Sequence, residues 1–358
     1  MNIFVLIGFG RSGIDFLQSL FDKHYQISQF PGEFFFDNFL NKVKNNISKE
    51  KIAKLFVEQY PHFFDSRLNN TERHDCLGVN KNDFFLINKK KFIKKFIKIT
   101  KNICKKEIFV NLHLAYSSSC GENLKKKRII IFNAHQIERL HCFNDIDFKI
   151  FYNIRHPLSS LTSSIKHWLI YEDGKYVGSW WLYYQIKRIF KSLKEAMSLN
   201  KEIYIIKLDV LHKNNDLVMK KICKILKIRF DKCLKKSTYM GKKWWGDKLS
   251  VNYLNGVNKN FIDKIDNNLF YANDKNYLKY YLKPILEKYN YKIKNSSNNF
   301  NKYLPLKIEI LIWSKIIKLL KLNEILLIPY YWIKRIILFN KYEYKNVKLP
   351  KEINHRKI

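Results

Sequence analysis

Apolar residues are spaced along the first two thirds of the chain as expected for buried strands that alternate with amphipathic helices. Short, nearly continuous apolar runs occupy residues 3–7, 129–132, 148–154 and 203–211. Runs of this kind are typical of strands buried on both faces of a parallel sheet. Between them, apolar residues recur at helical intervals among lysines, as in amphipathic helices. The pattern therefore predicts an α/β fold with a central parallel sheet flanked by helices.

A glycine-bearing turn, GFGRSG at residues 8–13, follows the first run directly. Apolar residues after Gly13 fall on one helical face, so the unit is predicted to be strand, tight loop and helix. Glycine lets a backbone come close to a ligand, and the start of a helix presents N–H groups and a positive dipole end. Arg11 and the Ser12 hydroxyl add two donors. The stretch therefore predicts an anion site, most simply for phosphate.

This loop fits one common nucleotide-binding pattern and fails another. GFGRSG has the spacing G-x-G-x-x-G of dinucleotide-binding loops, and Glu33 lies 20 residues after Gly13, about where an acid would meet a ribose. The G-K-[ST] ending of the Walker A loop is missing. A kinase or other NTPase is therefore disfavoured, whereas an NAD(P)-binding oxidoreductase remains one interpretation.

A histidine stands close to the end of the second apolar run. His135 follows residues 129–132 after Asn133 and Ala134. This position is beyond the carboxyl end of a predicted strand, the edge on which open α/β sheets bind ligands. Imidazole is the side chain best suited to move a proton near neutral pH. Both a catalytic and a structural role are consistent with the position.

A second cation and hydroxyl follow the third run. Arg155 comes directly after residues 148–154, Pro157 suits a helix entry, and Ser163 stands 8 residues after Arg155. An arginine at a strand end and a hydroxyl two helical turns along can meet on one phosphate. The alternative is that the two side chains merely cap a helix.

Two segments lie outside this alternation of strand and helix. Residues 34–125 predict a mainly helical insertion, of the kind that forms one wall of a substrate cleft. Residues 296–358 are a basic extension in which lysines break the apolar runs and Pro329 interrupts the last one. Because no run of 18 apolar residues exists, we expect one or two amphipathic helices and no membrane span. These helices would lie on a membrane surface, pack against the domain or mediate oligomerisation.

The chain is strongly basic, with 67 lysines and arginines against 31 acidic residues and a formal net charge of +36. Such a charge suits an anionic cofactor, an acidic substrate, nucleic acid or an anionic membrane. The lysines are spread along the chain and not gathered in one arm, so a solvated background explains the excess equally well. We therefore expect no nucleic-acid partner.

Cysteine usage and the N-terminus bear on the compartment. The six cysteines form no C-x-x-C pair and have no metal-ligand spacing, so reduced thiols and no metal site are expected. The N-terminus passes directly from strand to loop and does not have the pattern of a signal peptide. A cytoplasmic protein is predicted, with peripheral membrane contact through the C-terminal helices left open.

Two of these motifs, in this order, resemble those of sulfotransferases that use 3′-phosphoadenylyl sulfate (PAPS). Residues 8–15, GFGRSGID, resemble the family's 5′-phosphosulfate loop, and the R-H-P sequence at 155–157 with Ser163 resembles its 3′-phosphate motif. The resemblance covers about residues 1–290. It implies a P-loop-NTPase-like sulfotransferase domain over residues 1–295, with the helical insertion on the acceptor side.

The resemblance also implies roles for individual residues. The donor would be held at its 5′ side by Gly10, Arg11, Ser12, Gly13, Ile14 and Asp15, and at its 3′-phosphate by Arg155 and Ser163. Arg11 would also stabilise the charge that develops during transfer. The base would be Glu33, in the place of the acidic base of glycan- and tyrosine-directed relatives, or His135, in the place of the family's other base. Glu33 is slightly favoured, because an arginine in the loop resembles the glycan- and tyrosine-directed branch.

The acceptor and the activity itself stay open at this level. The branch implies a glycan or glycolipid hydroxyl, with an amine, a peptide tyrosine or a small metabolite as alternatives. Ile14 and Asp15 stand where the family has paired threonines, which removes two hydroxyls and places a carboxylate near the bound anion. A catalytically silent PAPS-fold binding protein is therefore the second hypothesis, and an NAD(P)-binding oxidoreductase is the third.

A late loop adds a weaker signal. Residues 237–247, STYMGKKWWGD, resemble a loop that some sulfotransferases fold over the nucleotide. Its cations would then meet the 3′-phosphate and a ring would pack on adenine. Trp244 and Trp245 are equally well explained as buried anchors for the following segment.

Overall fold

Five parallel strands form the central sheet. The computed structural model describes residues 1–43, 47–68, 72–248, 253–261, 265–291 and 300–340. The sheet strands are β1 (Asn2–Gly8), β2 (Ile27–Ser28), β3 (Ile129–His135), β4 (Lys149–Ile154) and β5 (Ile203–Lys207). Their order in the sheet is β2-β3-β1-β4-β5. The predicted α/β class, with a central parallel sheet flanked by helices, is confirmed.

β1 lies in the middle of the sheet because its side chains are apolar on both faces. Successive side chains of a strand point to opposite faces of the sheet, and the consecutive residues Val5, Leu6 and Ile7 are all fully buried. The end of β1 pairs with the ends of both adjacent strands, Ile7 with His135 of β3 and Gly8 with Asn153 of β4. The carboxyl ends of β3, β1 and β4 therefore lie side by side.

Helices connect the strands and cover the sheet. Those before β3 are α1 (Ile14–Leu20), α2 (Phe36–Leu40), α3 (Lys49–Gln59), α4 (Lys89–Ile99) and α5 (Lys105–Ser119). Those after β4 include α6 (Pro157–Ile165), α7 (Trp181–Ser198), α8 (Leu208–Lys213), α9 (Asn215–Leu226) and α10 (Ala272–Lys288). A short antiparallel hairpin consists of β6 (Thr238–Tyr239) and β7 (Lys242–Lys243).

Aromatic rings fasten the helices of residues 34–125 to the sheet. Phe34 meets Phe132 of β3 edge-on with ring centroids 5.9 Å apart, and Phe109 of α5 meets the same ring at 5.2 Å. Such pairs add to the stabilisation from burial. The Phe34 N–H also donates to the Asn133 carbonyl at 3.1 Å. These contacts hold the preceding residue, Glu33, over the end of β3.

The strand predicted at residues 203–211 is shorter in the structure. β5 ends at Lys207 and α8 begins at Leu208, so the strand prediction was wrong for residues 208–211. Leu208 and Leu211 are both buried and are spaced for one face of a helix as well as for a strand. Asp209 in the first turn favours the helix through its dipole.

β3 is longer than predicted and ends at His135, not at residue 132. A polar residue continues the strand because its side chain finds partners. Asn133 Nδ2 donates to Asp15 Oδ1 and to Gln18 Oε1, each at 2.9 Å. His135 is therefore the last residue of the strand.

Three helices form the C-terminal part of the described chain, α11 (Lys307–Lys318), α12 (Leu322–Leu326) and α13 (Ile328–Asn340). One or two helices were expected here, and the described residues form three; Pro329 lies in the first turn of α13, where its missing N–H breaks no helical hydrogen bond. Within the described ranges, no helix combines the length and apolar character needed to cross a bilayer.

α13 is tied to the core through a buried arginine, Arg335, which is 0% exposed. Its Nε donates to Glu309 Oε1 at 2.7 Å. Its other guanidinium nitrogens donate to the Tyr277 hydroxyl (3.1 Å) and to the carbonyls of Lys302 (3.1 Å) and Leu304 (3.0 Å). Burial raises the pKa of Glu309, and Arg335 opposes that rise.

α12 is attached to the loop that precedes α7. Lys321 Nζ donates to three carbonyls of residues 174–177 at 2.9 to 3.1 Å. The Glu324 carboxylate accepts from the N–H and from the hydroxyl of Ser179, both at 2.8 Å. The C-terminal helices are therefore part of the packed structure.

Candidate functional site

The strand order creates a crevice at the carboxyl ends of β1 and β4. After β1 the chain leads to β2 on one side of the sheet, and after β4 it leads to β5 on the other side. Connections that diverge in this way leave a crevice in which open α/β sheets bind ligands. The loop at residues 8–13, Arg155 after β4, and His135 at the end of β3 border this crevice.

The loop at residues 8–13 is folded tightly enough to require glycine at two positions. A Cβ at Gly8 would collide with the Ser12 hydroxyl, and Gly13 has a φ of 82°. Arg11 also has a positive φ, 61°, although it carries a side chain. Such a conformation costs about 1–3 kcal/mol at a non-glycine residue and recurs at functional sites. The loop has the backbone geometry of a close ligand contact.

The hydroxyl of Ser12 is buried in the loop. It is 1% exposed and has no hydrogen-bond partner within the part of the chain that the structure describes. Two polar groups nearby do have partners in the loop: Asn153 Nδ2 donates to the Gly13 carbonyl at 3.2 Å, and the Ser160 hydroxyl donates to the Gly10 carbonyl. Buried polar groups are nearly always satisfied in native proteins. Ser12 is thus available as a donor to a ligand in the loop.

Arg11 is held by two side chains from distant parts of the chain. Its Nη1 lies 3.3 Å from Asp247 Oδ1, and its Nε donates to Ser163 Oγ at 3.3 Å. The sequence places Ser163 with Arg155, whereas the structure brings it to Arg11. α6 therefore contributes the Ser163 hydroxyl to the loop at residues 8–13.

Arg155 lies at the end of β4 beside aromatic groups. Its guanidinium carbon is 5.8 Å from the centre of the Phe261 ring. His212 stacks between Phe261 and Phe16, with ring centroids 4.5 Å and 4.1 Å apart. Burial, together with the charge of Arg155, lowers the pKa of His212 to about 4. The imidazole is therefore neutral near pH 7 and leaves Arg155 as the positive charge of this group.

Glu33 and His135, the two alternative bases, form one pair. Glu33 Oε1 lies 2.9 Å from His135 Nδ1, and His135 has a positive φ of 58°. Burial raises the pKa of Glu33, but His135 and the cations Arg139 and Arg188 lower it by more, so its net pKa lies below the usual value. Burial lowers the pKa of His135, but Glu33 and Asp15 raise it by more. Each residue thus favours the charged form of the other, a carboxylate beside an imidazolium.

Two further carboxyl groups lie beside this pair. Burial and the charges of Glu33 and Asp247 raise the pKa of Asp15 to about 6. Burial, Asp15 and Glu33 raise the pKa of Glu72 to about 8, so Glu72 is mostly protonated at neutral pH. Its Oε1 accepts from the Glu33 N–H at 3.4 Å. Acidic groups thus crowd the side of the crevice opposite to Arg155.

α7 contributes two polar side chains to the crevice. Gln185 Oε1 lies 3.8 Å from the position of a Cβ on Gly10. One turn further on, Arg188 adds positive charge to the surroundings of Glu33 and His135. Its Nη2 is buried and, among the described residues, has no hydrogen-bond partner. A guanidinium in this position suits negatively charged oxygens in the crevice.

The late loop, residues 237–247, contributes an acidic residue to the site and two tryptophans that hold the loop in place. Trp244 is buried, and its Nε1 donates to the Glu72 carbonyl, while Trp245 Nε1 donates to the Gly78 carbonyl at 2.7 Å. Both indoles thus fasten the hairpin to residues 72–78. The loop reaches the crevice through Asp247, which pairs with Arg11.

Sequence reasoning missed several polar residues of the site, among them Glu72, Arg188, Gln18 and Asp247. Asp247 was within a motif that was singled out for its cations and tryptophans. Gln18 lies on the predicted first helix, where Nε2 donates to the carbonyls of Phe30 and Gly32 at 3.0 Å. Glu72 and Arg188 lie in segments without a recognisable motif, so no local signal identified them.

The described residues contain no group of three or more histidine, cysteine or acidic side chains arranged to hold a metal ion. The six cysteines are free thiols. The site described above is therefore built from cations, hydroxyls and carboxyls around a tight loop.

Comparison with known proteins gives structural similarity only. No protein-family model matches the chain, and no curated protein matches it. Among solved structures, it is similar to a sulfotransferase domain from the curacin biosynthetic pathway, with 15% identity, coverage of 82% of this chain and 99% of that chain, and a TM-score of 0.44. It is also similar to a sulfotransferase domain from the Synechococcus PCC 7002 olefin synthase, with 15% identity, coverage of 70% and 80%, and a TM-score of 0.38. A functional conclusion has to come from the residues of the crevice.

Proposed function

We propose that the protein is a sulfotransferase that moves the sulfuryl group from PAPS to an acceptor hydroxyl or amine. The observation that carries the proposal is the position of Arg11 and Arg155 after adjacent parallel strands, β1 and β4, at the crevice of the sheet. A donor with two separated anionic groups needs two separated cationic sites. PAPS has two such groups, its 5′-phosphosulfate and its 3′-phosphate.

The residues of the first motif fit the 5′ side of such a donor. The glycine-lined loop allows close approach, and the Ser12 hydroxyl is buried without a partner among the described residues. Arg11, Ser12 and the backbone N–H groups of residues 10–15 would hold the phosphosulfate, with Ile14 and Asp15 in the last positions. Ser163 supports this group by its contact with Arg11, and Arg155 would bind the 3′-phosphate.

Donor binding requires Arg11 to change partners. In the structure its guanidinium is paired with Asp247 at 3.3 Å. A phosphosulfate would compete with this carboxylate for the same donors. When bound, PAPS supplies the activated sulfuryl group, and Arg11 stabilises the negative charge that develops on its oxygens.

Glu33 and His135 act in this proposal as a unit. Glu33 orients the imidazole through its ion-pair contact with Nδ1, and Nε2 takes the proton from the attacking acceptor group. This assigns general-base chemistry to His135 and a positioning role to Glu33. The sequence slightly favours Glu33 as the base. The proposal instead makes His135 the base and Glu33 the residue that positions it, which the 2.9 Å contact between them supports.

The strand order argues against the NAD(P)-binding alternative. In the doubly wound dinucleotide fold the second strand lies beside the first. Here β3 separates β2 from β1. Glu33, which would contact a ribose in such a protein, instead lies 2.9 Å from His135 Nδ1.

A catalytically silent PAPS-fold binding protein is the second candidate function. The observation that favours this candidate is the presence of two carboxyl groups at the loop. Asp15 follows the loop directly, and Asp247 forms an ion pair with Arg11. Both groups oppose an anion by charge. Turnover of PAPS in an acceptor screen separates the two functions, since a silent protein binds the nucleotide without forming product.

For the acceptor we propose a hydroxyl of a glycan or glycolipid. The support is the resemblance of the loop arginine to that of the glycan- and tyrosine-directed branch. The helical segment 34–125 would form the acceptor side, next to Glu33. A screen of oligosaccharides, glycolipids, tyrosyl peptides and small alcohols with labelled PAPS tests this choice, and product on a tyrosyl peptide alone would contradict it.

The first experiment is a calorimetric titration with adenosine 3′,5′-bisphosphate, the desulfated product of PAPS. We expect micromolar binding, which Arg155→Ala and Arg11→Ala each weaken by about 2 kcal/mol because a charge-assisted contact is lost. Arg67→Ala is the matched control, since Arg67 is exposed and also pairs with an aspartate, Asp65, at 2.8 Å. Absence of binding, or binding of NADP(H) in its place, would contradict the proposal.

The affinity for this nucleotide should depend on Asp15. Its pKa of about 6 means that the carboxyl is ionised at about pH 8 and repels the ligand, whereas protonation below that pKa removes the repulsion. We therefore expect Asp15→Asn to bind about tenfold more tightly than wild type at pH 8, with the ratio approaching one at about pH 5. Asp147→Asn, at a surface aspartate whose side chain is 95% exposed, is the control. A ratio that does not change with pH would mean that Asp15 does not face the bound anion.

A further inference from the structure

The last helix exposes an apolar stripe. Leu326, Tyr330, Ile333 and Ile337 are 79%, 48%, 50% and 48% exposed. The spacing of three and four residues places Tyr330, Ile333 and Ile337 on one side of α13, and Leu326 is the last residue of α12 just before it. On a helix of a soluble protein the exposed side is normally polar. Here the buried side instead carries the charged residue, Arg335.

The stripe continues into the preceding helices. Ile317 at the end of α11, Leu319 and Leu320 in the turn, and Leu322 at the start of α12 are all exposed. Together with the four residues of the stripe they form what we call the C-terminal apolar surface. Contiguous apolar exposure beyond single residues marks an interaction site.

Positive charges accompany this surface, and its acids are turned inward. Lys318 is exposed, and Lys334 lies over the Tyr330 ring at 4.2 Å. The acidic residues between positions 300 and 340 are Glu309 and Glu324. Glu309 is paired with buried Arg335, and Glu324 accepts from Ser179. Among the described residues, the solvent side of α11–α13 is therefore apolar and cationic, apart from Asp173 of the neighbouring segment, which pairs with Lys315.

The surface is held rigidly against the domain. Arg335 makes four hydrogen bonds to the core, and Lys321 binds three carbonyls of residues 174–177. Exposed Ile170 and Tyr176 lie in the same neighbouring segment. The apolar stripe thus faces outward because the other side of α13 is occupied.

We propose that the C-terminal apolar surface docks onto an anionic lipid surface. Helices with an apolar side and flanking lysines lie in the membrane interface, where the lysines meet anionic headgroups. Tyrosine at Tyr330 suits that boundary because its ring is apolar and its hydroxyl is polar. Such docking needs no spanning helix, and the described helices offer none.

Charge favours a lipid over a second copy of the chain. A symmetric dimer through this surface would bring Lys318 and Lys334 towards the same cations of the other copy. The chain as a whole carries +36, which adds to this repulsion. An anionic membrane reverses the sign of the interaction and satisfies the apolar residues at the same time.

Vesicle sedimentation tests the proposal with the full chain. We expect at least about tenfold stronger binding to vesicles of phosphatidylcholine mixed with phosphatidylglycerol than to phosphatidylcholine alone, and weaker binding at high salt. Leu326→Ser combined with Ile333→Ser should reduce binding to the mixed vesicles by about tenfold or more, because two apolar side chains are lost. Val79→Ser combined with Leu86→Ser is the matched control, since both residues are exposed and lie elsewhere.

Circular dichroism and sedimentation velocity accompany the binding measurements. The serine variants should keep the helical content and the sedimentation coefficient of the wild type, since the replaced side chains are exposed. Equal binding of the Leu326/Ile333 variant and the wild type to mixed vesicles would overturn the proposal. A wild-type dimer that this variant converts to a monomer, without vesicle binding by either, would assign the surface to a second copy of the chain.

Discussion

Replacement of His135 by alanine is expected to lower the rate of sulfuryl transfer by about 10²- to 10⁴-fold, the range typical for loss of a general base. In the proposed mechanism the imidazole takes the acceptor proton while Glu33, 2.9 Å from Nδ1, holds the ring. The measurement is the initial rate of product formation from PAPS with the acceptor found by screening. Affinity for adenosine 3′,5′-bisphosphate should stay within about twofold, because the proposal gives His135 no contact with the nucleotide.

The dependence of the transfer rate on pH should reflect the Glu33–His135 pair. Although burial lowers the pKa of His135, Glu33 outweighs this effect and raises it above 6.5. The imidazole is a base only above its pKa, so the wild-type rate should increase with pH through a midpoint above 6.5. Glu33→Gln removes the negative charge that raises the pKa of His135, whereas burial still lowers that pKa. The midpoint of the rate profile should therefore move to lower pH. The rate at high pH should also fall, because the ring is no longer oriented by a carboxylate.

His141→Ala is the control for this series, since His141 is an exposed histidine a few residues after β3. It should leave both the rate and the profile unchanged. Unchanged turnover of His135→Ala would contradict the assignment of the base. If Glu33→Gln abolished turnover while His135→Ala remained active, the base would be Glu33.

Replacement of Arg335 by methionine should lower the free energy of unfolding by about 3–5 kcal/mol, the cost typical of leaving one partner of a buried ion pair alone. Arg335 is 0% exposed, and its Nε lies 2.7 Å from Glu309 Oε1. The methionine fills much of the same volume but donates to none of the four acceptors. Urea denaturation measures the loss, and hydrogen exchange over residues 328–340 locates it.

The loss should depend on pH because Glu309 is left buried without its cation. Burial already raises the pKa of Glu309 above its usual value, and removal of Arg335 raises that pKa further. A raised carboxyl pKa contributes stability that is present at low pH and is lost as pH increases through the folded-state pKa. The difference between variant and wild type should therefore be smaller at about pH 5 than at about pH 7.

A double variant and a surface control make the test specific. Glu309→Gln in the Arg335→Met background removes the stranded charge and should recover part of the lost stability. Lys334→Met changes a neighbouring cation that lies over the Tyr330 ring, and we expect a loss below about 1 kcal/mol. A loss for Arg335→Met no larger than this control would mean that the buried pair does not hold α13 in place.

The course of the backbone through the site was predictable from the sequence because it depends on local patterns. Uninterrupted apolar runs buried on both faces indicate parallel strands, and the α/β class followed from them. The glycines of residues 8–13 indicated a tight turn, and the structure has one, with Gly13 at a φ of 82°. Boundaries were less predictable, as residues 208–211 fit one face of a helix as well as a strand.

The partners of the site residues were not predictable in the same way. Glu33 and His135 were alternatives in the sequence and are a pair in the structure, 2.9 Å apart. Ser163 was expected at Arg155 and lies at Arg11, 152 residues away in the chain. Asp247, which pairs with Arg11 across 236 residues, was not singled out at all.

By itself, then, the sequence determined the class of fold, the tight glycine loop after β1 and the arginine after β4. These features follow from the periodicity of side chains and from the conformations that glycine allows, which are properties of neighbouring residues. Only the tertiary structure decided which charges meet, which carboxyls are buried and which apolar residues of α13 face solvent. Such properties depend on packing between segments far apart in the chain, since burial and a partner's charge set both the pKa of a carboxyl and the exposure of a leucine.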